Sequence, residues 1–187
     1  NWQARASILA TDLEDATMLV VGFGRVGRKV APRARAFGMN VTVCDIVLDR
    51  QLADDMGCEG IEDFREALPK ADVVTLHIPL DERNHHIMST AEFEMMKPGG
   101  VLINCARGGV VDEAALADAL REGRIGGAAL DVFTEEPLSA AGAVKFQGVP
   151  NLVLTPHIAG VTQEANIWTS VMIVNAILET LGRAPFE

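Results

Sequence analysis

Short runs of consecutive apolar residues alternate along the chain with longer segments in which apolar and polar residues mix. Continuous apolar runs bounded by turn residues are typical of strands buried inside a parallel sheet. They predict six strands, at about 17–21, 41–45, 72–78, 101–104, 127–132 and 151–155. Helical segments separate them, at about 25–37, 48–57, 61–68, 89–96, 113–122 and 162–181. This alternation predicts an α/β fold, a doubly wound parallel sheet between two layers of helices.

Capping and turn residues set several of these boundaries. Ser89-Thr90-Ala91-Glu92 has the pattern of a capping box, and Asp112 is placed to cap the helix that follows it. Pro32 falls inside the first helix, where its missing N–H predicts a kink. The remaining segments are predicted as a short helix over 1–10 and an irregular stretch over 133–150.

The first strand leads into a glycine-rich turn, Gly22-Phe23-Gly24-Arg25-Val26-Gly27, and a helix follows directly. In such a turn Gly22 allows the tight bend, Gly24 admits a pyrophosphate close to the backbone, and Gly27 lets helix and strand pack closely. The helix N-terminus adds unpaired N–H groups and a positive dipole end. The pattern predicts a dinucleotide site on a Rossmann-type, three-layer αβα fold.

An acidic residue, Asp45, ends the second predicted strand. A carboxylate at this point can bind the ribose hydroxyls of an adenosine and repel a 2′-phosphate, which indicates NAD rather than NADP. The structural alternative is a βαβ unit that binds no ligand.

Composition narrows the possible functions. Of the 187 residues, 49% are hydrophobic and 22% are charged, and the net charge of −10 comes without a basic cluster. These values describe a globular domain and argue against partners such as nucleic acid or an anionic membrane. We find no apolar run long enough to span a membrane and no signal peptide. The three cysteines lack metal-binding spacing, which favours a reducing cytoplasm, and the chain begins at Asn1 rather than a methionine.

Polar residues follow the last three predicted strands. Arg107 lies just after the strand at 101–104, Asp131 lies at the end of the next strand with Glu136 in the loop beyond, and His157 follows the last. Because ligands bind at the carboxyl ends of parallel strands, these side chains are candidates for one active site. A guanidinium can hold a carboxylate in a two-pronged contact, a histidine can exchange a proton, and a carboxylate can orient the imidazole. From spacing alone, a structural role in a loop explains each of these residues as well as a catalytic role does.

Several sequence blocks, in order, resemble the nucleotide-binding domain of the D-isomer-specific 2-hydroxyacid dehydrogenases. The resemblance extends from about Trp2 to Pro185. The matching blocks are Val21-Gly22-Phe23-Gly24-Arg25-Val26-Gly27, Met96-Lys97-Pro98-Gly99-Gly100, Leu102 to Glu113, Ala129-Leu130-Asp131-Val132-Phe133, Glu136-Pro137 and Leu154 to Gly160.

The resemblance implies hydride transfer between NAD(H) and C2 of a small 2-hydroxy or 2-keto acid. It implies that Arg107 binds the substrate, that His157 is the acid/base and that Glu136 is the partner of that histidine. The implied NAD-binding residues are Gly22, Gly24, Arg25, Val26, Gly27, Asp45, His77, Pro79, Cys105, Ala106, Arg107, Asp131, His157 and Gly160. Asp131 would hydrogen-bond the nicotinamide carboxamide. Family members form dimers through this domain, so a homodimer is expected.

The family also has a second domain, which closes over the substrate and is absent from this chain. We therefore expect 1–187 to form a single NAD-binding domain. Segments 1–11 and 162–187 are those that normally contact the substrate domain. The phosphoglycerate, glycerate/hydroxypyruvate and sulfolactate dehydrogenase branches all look similar here, and the side-chain specificity for one acid is not readable.

Two other functions remain open at this point. The family's corepressor relatives use the same scaffold as an NAD(H)-sensing dimeric module without significant catalysis. An adenosylhomocysteine-hydrolase-like NAD domain suits the blocks around Arg107, Glu136 and His157 less well. A metal site is not expected, because His85 and His86 are adjacent rather than one helical turn apart.

Overall fold

The computed structural model describes residues 12–186. Seven parallel strands form one sheet in the order β3-β2-β1-β4-β5-β6-β7. The strands are β1 (Thr17–Val21), β2 (Asn40–Cys44), β3 (Glu59–Ile61), β4 (Val73–Leu76), β5 (Val101–Asn104), β6 (Gly127–Leu130) and β7 (Leu152–Leu154). The helices are α1 (Gly27–Ala36), α2 (Arg50–Asp55), α3 (Thr90–Met95), α4 (Glu113–Arg121), α5 (Ala140–Ala143) and α6 (Gln163–Thr180).

The order of the strands reverses between β1 and β4. The chain runs outward from β1 to β2 and β3, then returns to the other side of β1 with β4 and continues to β7. Connections on opposite sides of this point leave a crevice at the carboxyl ends of the strands. The residues that follow β1, β2, β4, β5, β6 and β7 therefore share one edge of the sheet.

The two faces of the sheet carry separate apolar layers. Val20 and Val43 face one layer, which α1 covers with Ala31 and Ala34. Leu19 faces the opposite layer, which includes fully buried side chains of the segments after β4. Alternation of side chains along each strand places neighbours on opposite faces, so both sides are buried and the predicted αβα architecture is confirmed.

Local capping signals are confirmed. The Glu92 carboxylate accepts the backbone N–H of Ser89 at 3.1 Å. Asp112 caps α4 by accepting the N–H groups of Ala114 and Ala115, each at 3.1 Å. α1 continues through Pro32 to Ala36.

Two segments differ from the sequence-based prediction. The helix predicted over 61–68 is wrong at its start, because Glu59–Ile61 pairs with β2 as a short edge strand and only Phe64–Glu66 forms a 3-10 turn. The stretch over 133–150 is not wholly irregular, since it contains α5 and a 3-10 turn at Val144–Phe146. All of these elements are too short to show a hydrophobic period in the sequence. The strand Glu59–Ile61 forms because it pairs with β2. The helix predicted over 1–10 lies outside the described residues.

The last helix presents apolar side chains to solvent. Within residues 12–186, no side chain of α6 is buried, and Trp168 is 69% exposed. None of the helices in this part of the chain combines the length and apolarity needed to cross a membrane.

Candidate active site

The glycine loop has the geometry that close approach of a phosphate requires. Gly22 has φ +98°, and a Cβ on it would lie 2.5 Å from the carbonyl oxygen of His77. A Cβ on Gly27 would lie 2.0 Å from the carbonyl oxygen of Gly22, so the helix and the turn are in contact. At Gly24, by contrast, nothing lies within 4 Å of the added Cβ. The loop is therefore packed at its two ends and open in the middle.

Asp45 lies beside this loop, directly after β2. Its Oδ2 accepts the backbone N–H of Phe23 at 2.7 Å, and its Oδ1 accepts that of Val47 at 3.1 Å. The side chain is only partly buried, and the following Ile46 is 86% exposed. The carboxylate is thus held beside the glycine loop, and its binding of a ribose remains a prediction.

His77 forms the wall opposite Asp45, at the end of β4. Its backbone N–H donates to the carbonyl of Val21 at 2.7 Å, and its Nε2 lies 3.1 Å from Oγ1 of Thr75. Desolvation by burial lowers the pKa of His77, so the ring is neutral near pH 7. Pro79 is exposed on the same rim. The binding of the adenosine half of NAD by these residues and the glycine loop remains a prediction.

The loop that carries Arg107 is held by a residue the sequence analysis did not single out. Asn104 is 1% exposed; its Oδ1 accepts the N–H of Ala106 at 3.0 Å, and its Nδ2 donates to the carbonyl of Arg107 at 3.1 Å. Arg107 and Cys105 remain exposed at the strand end. Burial raises the pKa of the Cys105 thiol, with a smaller contribution from Asp131. Both amide atoms of Asn104 therefore fix the backbone from which Arg107 projects.

The side chains of His157 and Glu136 are in hydrogen-bond contact, and their roles in catalysis remain a prediction. Nδ1 of His157 lies 2.7 Å from Oε2 of Glu136, and Oε1 of Glu136 accepts the N–H of Phe133 at 2.8 Å. The hydrogen bond from His157, followed by that from Phe133, holds the pKa of Glu136 below its usual value. His157 has φ +51°, a left-handed conformation that costs free energy for a residue other than glycine and recurs at functional sites.

The carboxylate of Asp131 holds the loop on both sides of His157. It is 3% exposed; Oδ1 accepts from Thr155 Oγ1 at 2.5 Å and from the N–H of Ile158 at 2.9 Å, and Oδ2 accepts from the N–H of Ala159 at 2.9 Å. Desolvation raises its pKa, but these hydrogen bonds outweigh that effect and leave the pKa below the usual value. Asp131 therefore stays charged and fixes the strained backbone. Its predicted bond to the carboxamide remains a prediction.

A cavity of about 650 Å³ opens at the contact between Glu136 and His157, which both line it. The remaining lining is mostly apolar: Phe133, Pro137, Leu138, Leu154, Thr155 and Pro156. An apolar wall lowers the local dielectric constant and so strengthens the electrostatic interaction between the Glu136 carboxylate and a bound molecule. Gly160 lies exposed on the loop after His157, further along the same edge.

His85 and His86 stack with ring centroids 3.9 Å apart, away from this pair. Between residues 12 and 186, no group of three or more His, Cys, Asp or Glu side chains is arranged to hold a metal ion.

Comparison with known proteins identifies the same family along most of the chain. The sequence model of the D-isomer specific 2-hydroxyacid dehydrogenase, NAD binding domain, matches residues 1–159. The chain is 43% identical over 178 residues to an (S)-sulfolactate dehydrogenase of Chromohalobacter salexigens, with 95% of this chain and 57% of that protein covered. It is 39% identical over 170 residues to a D-3-phosphoglycerate dehydrogenase of Methanocaldococcus jannaschii, with 91% and 32% covered.

Solved structures agree with the sequence comparison. The D-lactate dehydrogenase of Aquifex aeolicus, complexed with NAD and lactic acid, superimposes with a TM-score of 0.84 at 34% identity, covering 93% of this chain and 56% of that one. The chain thus spans 57% and 32% of the two curated relatives described above.

Proposed function

The chain belongs to the D-isomer-specific 2-hydroxyacid dehydrogenases, as their NAD-binding domain, and we propose that it serves an enzyme that interconverts D-2-hydroxy acids and 2-oxo acids. The observation that carries this proposal is the 2.7 Å contact between His157 and Glu136 at the carboxyl edge of the sheet. When bound, the nicotinamide supplies or accepts the hydride at C2 of the substrate.

His157 exchanges the proton that accompanies this change at C2. Its Nδ1 is bonded to Glu136, which leaves Nε2 for the substrate oxygen. In reduction the protonated imidazole donates to the developing alkoxide, and in oxidation the neutral imidazole removes the hydroxyl proton. Glu136 fixes the ring and stabilises its charged form.

Arg107 holds the substrate carboxylate. A guanidinium offers two parallel donors to a carboxylate, which orients the planar 2-oxo acid for attack from one face. The exposed position of Arg107 at the end of β5 and its loop's anchorage by Asn104 support this role.

The residues proposed to bind NAD divide between the two halves of the crevice. Gly22, Gly24, Arg25, Val26, Gly27 and Asp45 would hold the pyrophosphate and the adenosine ribose, and His77 with Pro79 would form the opposite wall. Cys105, Ala106, Asp131 and Gly160 would lie at the nicotinamide, between Arg107 and His157. The open space at Gly24 and the anchored carboxylate of Asp45 support the first group.

We further propose that 1–187 is one NAD-binding domain whose segments 1–11 and 162–187 contact a substrate domain. The exposed apolar side chains of α6 support this contact. A homodimer and a cytoplasmic location are proposed from the family alone. The relatives described above are dehydrogenases, which gives the NAD(H)-sensor alternative no support.

The direct test is isotope transfer by the whole protein. NADH that carries deuterium at both C4 positions is incubated with 3-sulfopyruvate or 3-phosphohydroxypyruvate, compounds suggested by the names of the two relatives described above. We expect deuterium at C2 of the hydroxy acid, with the D configuration wherever the product is chiral. A protein that binds NADH but transfers no deuterium to any of a broad panel of 2-oxo acids would contradict the proposal.

A further inference from the structure

Glu113 is a buried carboxylate outside the residues proposed for chemistry. It is the first residue of α4, and its side chain is 5% exposed. Oε1 accepts the backbone N–H of Thr134 at 2.6 Å and the hydroxyl of Thr134 at 3.1 Å, while Oε2 accepts from Nζ of Lys145 at 2.5 Å. A buried charge is retained only when it is paired and hydrogen-bonded, and every bond of Glu113 goes to the loop after β6 or to the turn beyond it.

The peptide unit between Phe133 and Thr134 contacts the loop that carries Arg107, the residue proposed to bind the substrate. A Cβ on Gly108 would lie 1.8 Å from the carbonyl oxygen of Phe133 and 2.7 Å from the nitrogen of Thr134. Gly108 directly follows Arg107, so this peptide sets how closely the Arg107 loop approaches the loop after β6. Glu113 holds the nitrogen of the same peptide.

The preceding N–H group reaches the other half of the site. The N–H of Phe133 donates to Oε1 of Glu136 at 2.8 Å, and Oε2 of Glu136 contacts His157. Two successive backbone N–H groups, of Phe133 and Thr134, are therefore held by two carboxylates, one supporting the histidine and one outside the site.

We infer that Glu113 is a positioning residue that fixes the Phe133–Thr134 peptide and thereby sets the placement of Arg107 relative to Glu136 and His157. The effect of this placement on catalysis rests on the proposed function. The structural positioning by Glu113 does not depend on it. Glu113 acts through the backbone and touches no substrate. Its loss frees the Phe133–Thr134 peptide to shift, and this shift, passed through the Phe133 Cα to the preceding peptide unit, weakens the hydrogen bond from the Phe133 N–H to Glu136.

The test compares E113Q with E92Q. Glu92 is a matched control because it is also a buried carboxylate in the first turn of a helix, paired with a basic side chain, Arg65 at 2.9 Å, and accepting a backbone N–H, that of Ser89. The measurement is the pH midpoint at which the NMR signal of the Glu136 carboxyl carbon shifts, recorded on the 187-residue chain. This signal is assigned by its absence from the spectrum of E136Q. We expect an upward shift in E113Q and none in E92Q, although both variants lose thermal stability.

An unchanged midpoint in E113Q, or an equal shift in E92Q, would overturn the inference. Hydrogen exchange of the unsubstituted chain gives a second measurement that does not depend on the folding of a variant. The Thr134 amide should exchange more slowly than it does in an unstructured peptide, and exchange at the unprotected rate would overturn the inference too.

NADH titration of the same samples separates the two proposals. Failure of the unsubstituted chain to bind NADH would count against the proposed function and leave the Glu136 titration readable. In the whole enzyme, E113Q should lower kcat about 10- to 100-fold, in line with the cost of a small misplacement of reacting groups, and leave NADH affinity unchanged. A kcat equal to that of E92Q would count against the positioning role.

Discussion

The carboxylate of Asp45 accepts a hydrogen bond from the backbone N–H of Phe23 at 2.7 Å. The side chain proposed to bind the ribose is therefore also bonded to the loop proposed to bind the pyrophosphate. The second oxygen accepts the N–H of Val47, so both oxygens of the carboxylate are bonded to the backbone. In the proposed role, Asp45 sets both the choice of cofactor and the geometry of the loop.

Replacing Asp45 with asparagine should narrow the preference for NADH over NADPH. The variant removes the repulsive charge, so we expect the ratio of the two dissociation constants to fall at least about tenfold, equivalent to about 1.4 kcal/mol. Calorimetric titration with each cofactor measures this ratio. Asp49→Asn is the control, because Asp49 caps α2 by accepting the N–H of Leu52 and is exposed. Equal ratios in both variants would contradict the role of Asp45.

Gly27→Ala should lower the stability of the fold, whereas Gly24→Ala should lower the affinity for NADH. An added Cβ at Gly27 meets the carbonyl of Gly22, so we expect a loss of at least about 1–3 kcal/mol in the free energy of unfolding, the usual cost of overpacking. An added Cβ at Gly24 meets nothing within 4 Å, so stability should hold while NADH affinity falls. Denaturant unfolding and calorimetry separate the two. Unchanged NADH affinity in Gly24→Ala would show that the pyrophosphate does not approach this glycine.

The sequence predicted those features that depend on a few neighbouring residues. The glycine loop, the position of Asp45 and the caps at Ser89 and Asp112 follow from local chemistry, and six of the strands follow from continuous apolar runs. β3 could not be predicted, because three residues that contain a glycine show no period and form a strand only by pairing with β2.

The support of the site was also beyond the sequence. Glu113 and Thr134 lie 21 residues apart, and nothing in either segment shows that they touch. Asn104 was visible only as the end of a strand, although its amide holds the backbone of Arg107. Catalytic residue types stand out in a sequence, whereas the contacts that place them arise only when distant segments pack.

Stability should fall at acid pH through Asp131. The pKa of this carboxyl is lowered on folding, so its contribution to stability is present above the ordinary value and is lost as the pH falls through the lower, folded value. Asp131→Asn should cost about 1.5–3 kcal/mol near pH 7, as hydrogen bonds to a charged group do, and should flatten the acid limb. Thr155→Val removes one donor to Asp131 and should cost less. Unfolding at several pH values measures both, and an unchanged acid limb in Asp131→Asn would contradict the prediction.

Arg107→Lys should raise KM for the 2-oxo acid in the whole enzyme and leave NADH affinity unchanged, because lysine keeps the charge but offers no two-pronged contact. Arg107→Met should lower kcat/KM about 10- to 100-fold, since a hydrogen bond to a charged group contributes about 1.5–3 kcal/mol. Arg33→Met, on the exposed face of α1, is the control. Steady-state kinetics measures these parameters. An unchanged kcat/KM in Arg107→Met would contradict the proposed role of Arg107.

The most direct test of the proposed chemistry combines turnover and NADH affinity in His157→Gln. Loss of an acid/base group lowers kcat about 10²- to 10⁴-fold, while the glycine loop and Asp45 remain in place to bind NADH. His85→Gln, which changes an exposed histidine outside the pair, serves as the control. We predict that His157→Gln binds NADH nearly as tightly as the unsubstituted enzyme does and transfers hydride at least about a hundredfold more slowly. Turnover that survives this substitution, at unchanged NADH affinity, would show that His157 is not the acid/base.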